Sequence, residues 1–310
     1  MTPNAHGSRS RSVFLALFVV FLWATSWVLI KIGLEEIPAL TFAGLRYTLA
    51  FLCLLPLAVI IGGRPDSTRW SRNTLGQLIL LGVLLYTVTQ GAVFLALAYL
   101  PAVTVNLLWS FSTVSVALLG ILLLAERPSG FQWLGVALAA LGAIIYFYPA
   151  GLRDGHPVGI LVSGVGVLAN ACAAILGRRI NRACEIHPLL ITTVSMGAGS
   201  IALLVIGLVC QGLPAITAKG WAIIIWLAIV NTALAFTLWN YTLRTLSATE
   251  SSIINGTMMI WIPILAVVFL GETVRTKELV GLIAAALGTL VVQLRSPAAL
   301  LGWLRRHTVA

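Results

Sequence analysis

The stretch Leu124-Ala125-Glu126, followed by Gly135 and Ala139-Ala140-Leu141-Gly142, is met again as Leu270-Gly271-Glu272, followed by Gly281 and Ala285-Ala286-Leu287-Gly288. One ungapped shift of 146 positions lays Glu126 on Glu272, Gly135 on Gly281 and Gly142 on Gly288, and also Leu100 and Ala102 on Leu246 and Ala248. The flanking Glu and the offset shared by three segments set this apart from a chance run of Gly, Ala and Leu. The chain reads as two copies of one unit.

Around these stretches the sequence is apolar almost throughout. Sixty per cent of its 310 residues are hydrophobic and only 9% are charged, with a mean hydropathy of +1.03. A soluble domain carries about 25% charged residues, so a globule of this composition has too little charge to cover its surface. Disorder is excluded by the high apolar content. Ten runs approach the roughly 20 apolar residues that a bilayer requires of a helix: 13–32, 40–61, 75–99, 102–124, 131–149, 158–176, 189–209, 221–243, 251–270 and 277–294. They are far longer than strands and lack the alternation of a membrane barrel. Breakers such as Pro38, Pro101, Pro128, Pro188 and Gly212 with Pro214 separate them.

The expected fold is an all-α polytopic membrane protein: ten transmembrane helices forming two five-helix repeats. An odd number of helices per repeat makes the second enter the membrane inverted. Inverted repeats are a transporter design that places the substrate near the midplane, so a central cavity between the halves is expected. The divisions are a tail at 1–12, repeats at 13–150 and 151–295, and a tail at 296–310. With the N-terminus inside, the inner segments hold 13 Lys and Arg and the outer connectors hold 5, a bias that puts both termini in the cytoplasm. The net charge of +10 thus sits in connectors and tails, not in a stripe interleaved with aromatics, and nucleic acid is not a partner.

The order of these motifs resembles the drug/metabolite transporter superfamily, in its EamA-type ten-helix exporters. In that family a helix ends in Glu and the next begins with Gly and a small-residue stripe. Leu45-Arg46-Tyr47 and Trp23-Ala24 fit the same pattern. The resemblance spans roughly residues 13–295 and implies an exporter of amino acids or related metabolites. It points to the aromatic amino acid exporter branch, which also handles cationic drugs. The four-helix multidrug relatives carry a proton-coupling carboxylate in their first helix; run 13–32 contains no acid, and that mechanism does not transfer.

All nine acids and all four histidines fall in connectors or at segment ends. Intramembrane proteolysis needs paired Asp, a base beside a Ser, or zinc ligands at depth, so an enzyme is excluded, and no cofactor or metal is implied. The four cysteines are scattered without short spacings. Arg46 is the strong charge within a span, about 10 Å from its outer end by helical rise. It reads either as a counter-charge for a substrate carboxylate or as a hydrogen-bonding post for neighbouring helices. Lys31, one turn from its helix end, is expected to snorkel outward.

Polar and aromatic residues mark the candidate substrate site. Asn106 and Ser110 share one face of the fourth helix with Trp109 adjacent, and Tyr86 and Gln90 share a face of the third. Trp23 and Ser26 lie in the first helix, Asn170 in the sixth, and Asn255 and Trp261 in the ninth. Polar faces turn away from lipid and either line a cavity or bond neighbouring helices. Uncharged polar groups satisfy an ammonium and a carboxylate, while aromatic walls hold the side chain. Pro263 is a candidate gate hinge or a static kink. Trp133, Trp221 and Trp239, near helix ends, read as an interfacial belt. The small-residue stripes read as packing within a monomer.

The function expected is an inner-membrane transporter of small amphipathic metabolites, chiefly amino acids, working by alternating access. A channel-like or lipid-handling membrane protein without alternating access is the competing reading.

Overall fold

Ten helices follow the ten apolar runs in order, because a backbone in hydrocarbon must satisfy its own hydrogen bonds and a helix does so within one segment. The structure is a computed structural model that describes residues 4–62, 71–124, 129–148, 156–183, 188–242, 245–246 and 248–294. The helices are α1 (Asn4–Gly33), α2 (Ala39–Gly62), α3 (Arg72–Tyr99), α4 (Ala102–Leu124), α5 (Gly130–Phe147), α6 (Pro157–Ala183), α7 (Pro188–Gln211), α8 (218–242), α9 (248–270) and α10 (Thr276–Leu294). Among the described residues, eight have the length and apolarity to cross a membrane. The outward surface suits lipid, with Leu161, Val209, Ile60 and Val268 among its exposed side chains.

The repeated small residues are where the two halves meet. α5 and α10 make the most extensive helix–helix contact among the described residues. A methyl group on Gly135 would stand 2.7 Å from Val292 N and 2.8 Å from Gly288 O. One on Gly281 would stand 2.6 Å from Gly142 O and 2.8 Å from Tyr146 N. Gly135 therefore faces Gly288 while Gly142 faces Gly281, so the helices run antiparallel. The 146-residue offset exchanges these two pairs, which is what a two-fold relation between inverted repeats requires. The same relation orders the other contacts: α1 packs on α8 and α9 as α6 packs on α3 and α4, and α2 meets α8 as α7 meets α3. α2 and α7 pair as closely, with Gly44 against Leu204 and Gly207 against Thr41.

Two departures from regular α-helix also obey the offset. α3 widens into a π-helix at Val83–Thr89 and α8 does so at Ile229–Leu234, starting 146 positions apart. A wider turn leaves carbonyls for other donors. Thr89 Oγ1 donates to Leu84 O at 2.7 Å, and Thr232 Oγ1 donates to Leu227 O at 2.8 Å, each reaching five residues back.

α9 is interrupted at Thr257, between Gly256 and Met258, and continues through Pro263 to Leu270. The break thus lies six residues before the proline named as a hinge. Pro263 has no N–H for the carbonyl of Met259 four residues earlier; that carbonyl accepts instead from Asn106 Nδ2 of α4 at 3.5 Å.

If the seam carries the fold, Gly281→Ala and Gly135→Ala should each cost about 1–3 kcal/mol as overpacking. Gly76→Ala, whose methyl group would meet nothing within 4 Å, should be neutral or slightly stabilising. Thermal unfolding of the three purified variants in detergent checks this, and equal melting temperatures would contradict it.

Candidate substrate site

Arg46 is the organising charge. It lies in α2 and is 5% exposed. Its Nε donates to Thr232 Oγ1 of α8 at 3.1 Å. The guanidinium carbon lies 5.0 Å from the Tyr47 ring centroid and 5.9 Å from that of Phe94 in α3. Among the described residues no carboxylate pairs with it. Aromatic faces stabilise a cation, and Thr232 satisfies one of five N–H donors. The result is a positive charge at depth held in place by neutral groups.

Tyr47 joins that charge to α3. Its hydroxyl donates to Gln90 Oε1 at 2.7 Å, and its ring lies 5.7 Å from that of Tyr86. Tyr86 sits inside the π-helical stretch and packs beside Gly199 of α7, where a side chain would collide with it. The structure thus brings together three of the residues singled out from sequence, Arg46, Tyr86 and Gln90. Tyr47 and Thr232 complete the group; the α-helical faces used to read the sequence gave neither a role beside Arg46, since the first is its chain neighbour and the second belongs to the other repeat.

A second group lies where α4 meets α6 and α9. Trp109 is partly buried against the same core as Tyr47, Tyr86 and Phe94. Its ring occupies the space that a side chain on Gly166 of α6 would need, and its Nε1 is buried with no hydrogen-bond partner. Asn170 Nδ2 donates to Ser112 Oγ of α4 at 2.5 Å. Asn106 is spent on the carbonyl that Pro263 frees, and Ser110 Oγ donates to Leu107 O of its own helix at 2.7 Å. Part of the polar stripe on α4 therefore holds helices together. Asn255 is exposed and takes part in none of these bonds.

The third group is aromatic. Trp23 of α1 lies 5.5 Å from Phe236 and 5.2 Å from Trp239 of α8, and Trp261 of α9 meets Phe21 edge-on at 5.3 Å. Trp239 thus also packs on Trp23. Trp133 and Trp221 are exposed near helix ends, as a belt requires. Ser26 is buried and its hydroxyl donates to Leu22 O at 3.3 Å. Asn231, unremarked in the sequence, is buried in the π-helical stretch of α8 and donates to Leu22 O and to Thr25 Oγ1 of α1.

Lys31 corrects the sequence reading. Instead of snorkelling it turns into the protein, where Nζ donates to Leu97 O at 2.6 Å and to Leu100 O at 2.8 Å. Glu272 accepts from Ala102 N at 2.6 Å and Val103 N at 3.0 Å. Its repeat counterpart Glu126 lies outside the described residues. No cluster of three or more His, Cys, Asp or Glu among the described residues could hold a metal ion.

An arrangement of one fixed cation, amide and hydroxyl groups and aromatic walls inside a helical bundle can bind and release an amphipathic molecule. Among the described residues it brings no histidine or carboxylate beside those hydroxyls to act as a base. The chain matches the EamA-like transporter family over residues 10–148 and again over 158–294, once for each repeat. The chain belongs to that family. It is a membrane transporter and not an enzyme. It is 27% identical to the uncharacterized inner membrane transporter YedA of Escherichia coli K12 over 263 residues, covering 78% of this chain and 79% of that one. It is 26% identical to a probable amino-acid metabolite efflux pump of Salmonella typhimurium LT2 over 291 residues, covering 89% and 92%. A protein of known crystal structure shares the fold at a TM-score of 0.63 and 15% identity, over 91% of this chain and 96% of its own. The family and these relatives make the chain a multi-pass inner-membrane protein.

Replacing Thr232 with Val keeps the shape and removes the acceptor for Arg46. It should cost about 1.5–3 kcal/mol, the range for a hydrogen bond to a charged group. Thr237→Val, an exposed threonine bonded to its own helix at Ala233 O, should change stability by less than about 0.5 kcal/mol. Equal melting shifts for the two variants in detergent would mean that the Arg46 bond contributes nothing specific.

Proposed function

We propose that this transporter exports small metabolites bearing a carboxylate, amino acids first among them and aromatic ones included, by alternating access. The observation that carries this reading is Arg46: a buried guanidinium, neighboured by Tyr47, Phe94 and Thr232, with no protein carboxylate paired to it among the described residues. A charge within the membrane interior is costly and marks a functional site by default, and a substrate carboxylate is the counter-ion of matching chemistry. The likeness to a probable amino-acid metabolite efflux pump supports the same cargo. Cationic drugs, which the aromatic exporter branch also handles, fit less well beside a fixed positive charge.

In this reading residues 13–150 and 151–295 form the inverted repeats around a central cavity in a monomer, with both tails cytoplasmic. Trp23, Trp109 and Trp261 supply apolar wall, Tyr86, Gln90 and Asn170 supply hydrogen bonds, Asn106 ties α4 to α9, and Ser26 bonds within α1. The break in α9 at Thr257, with Pro263 beyond it, gives that helix room to bend. A zwitterion carries no net charge, so the membrane potential does no work on it, whereas each unit charge is worth about 2.3 kcal/mol per 100 mV. A tenfold outward gradient supplies about 1.4 kcal/mol. Export therefore runs down the substrate gradient.

Proteoliposomes loaded with unlabelled amino acid should show saturable counterflow of the radiolabelled form. An imposed pH gradient at zero potential should produce no accumulation. Arg46→Gln and Trp109→Ala should each lower counterflow at least tenfold, while Trp133→Ala should leave it within twofold. Non-saturable flux would favour the channel-like reading, and uphill uptake driven by the pH gradient would overturn the facilitated mechanism.

A further inference from the structure

The turn between α3 and α4 is held from two sides by opposite charges. Lys31, from the end of α1, takes the carbonyls of Leu97 and Leu100. These belong to the C-terminal turn of α3, which has no intrahelical donors for its last carbonyls. Glu272, from the α9–α10 connector of the other repeat, takes the N–H groups of Ala102 and Val103, which open α4. Each charge also complements the dipole of the helix end it meets. Gly271, at φ 64°, adopts the left-handed conformation that ends α9 and turns the chain into the connector where Glu272 lies.

Four further polar links at this end of the bundle join the repeats. Leu40 N, at the start of α2, donates to Gln211 Oε1 at 2.7 Å. Thr41 Oγ1 donates to Gly212 O at 2.8 Å, Thr217 Oγ1 to Glu36 Oε2 at 2.9 Å, and Lys277 Nζ to Tyr148 O at 3.2 Å. These residues lie at the ends where α1, α3, α5, α7 and α9 finish.

We propose that Lys31 and Glu272 are gate residues, a latch that closes this face of the transporter by clamping the α3–α4 turn and that must release each time the face opens. The inference rests on the alternating-access reading above. The chemistry suits a reversible contact. The groups that Lys31 and Glu272 satisfy are helix-end carbonyls and N–H groups, which water entering from the same face satisfies equally when the latch parts. Opening thus exchanges hydrogen bonds and does not strand buried ones.

The test is a distance measured by pulsed electron resonance between spin labels on Ala98→Cys and Thr273→Cys, both exposed positions flanking the clamp, in the full chain with its native cysteines replaced. The latched protein should give one short, narrow distance. Glu272→Gln and, separately, Lys31→Met should add a longer component, raising the open-to-closed ratio about tenfold, or 1.4 kcal/mol. Glu278→Gln should change nothing, because Glu278 caps its own helix through Arg275 N at 2.8 Å. Unchanged distances in both latch variants would overturn the proposal; if Glu272→Gln fails to yield monodisperse protein, Lys31→Met decides it alone. A lengthened distance in a chain that shows no amino-acid counterflow leaves the latch standing and removes amino acids as the cargo. Normal counterflow with no lengthening removes the latch.

Discussion

The close backbone contact between α5 and α10 is the constraint on which the rest of the architecture depends. Two apolar helices surrounded by lipid gain nothing from the hydrophobic effect by meeting, because the tails are as apolar as leucine. They gain by packing, and the gain grows as backbones approach. Gly135, Ala139 and Gly142 opposite Gly288, Ala285 and Gly281 remove the side chains that would hold the helices apart. Because one sequence pattern serves both helices, the seam is self-complementary about a two-fold axis. That symmetry sets α1 against α8 and α9, and α6 against α3 and α4. The π-helical turns of α3 and α8 take their places by the same rule.

Onto this symmetric frame the chain places few charges, and the described ones at depth or at helix ends make their hydrogen bonds to neutral partners. Arg46 is bonded to Thr232 and faced by two aromatic rings. Lys31 and Glu272 are bonded to backbone groups at helix ends. Neutral partners leave a charge available to a substrate, in the case of Arg46, or to water, in the case of the latch. A buried ion pair would have closed both possibilities. The repeats are therefore equivalent in backbone and different in chemistry: Arg46 has no basic counterpart among the described residues of α7.

The fold was legible in the sequence because it rests on one-dimensional signals. Hydrophobic run lengths gave ten helices, and the offset between Glu126 and Glu272 gave the repeat. The site was only partly legible. Arg46 stands out by composition alone, and Tyr86 and Gln90 by spacing on one helix. Their convergence on Tyr47 and Thr232 depends on which helices adjoin, and a single sequence does not encode neighbours in readable form. Lys31 was misjudged for the same reason, since a lysine near a helix end snorkels unless carbonyls of another helix stand closer than the headgroups. The stripe of Asn106 and Ser110 is a buried, inward face, but one amide donor of Asn106 goes to Met259 O and the Ser110 hydroxyl to Leu107 O. A polar residue that holds helices together and one that awaits a substrate have the same spacing.

Inversion of the repeats is the claim on which the two-fold arrangement of the helices rests, and labelling from one side tests it directly. Tyr99 and Thr245 are exposed and stand 146 positions apart, each by the end of the third helix of its repeat. Single cysteines at these two positions in an otherwise cysteine-free chain would be exposed in turn to a membrane-impermeant maleimide. The account predicts that Tyr99→Cys is labelled in intact cells and that Thr245→Cys is labelled only after the cytoplasmic side is opened. Labelling of both positions from the same side would contradict it.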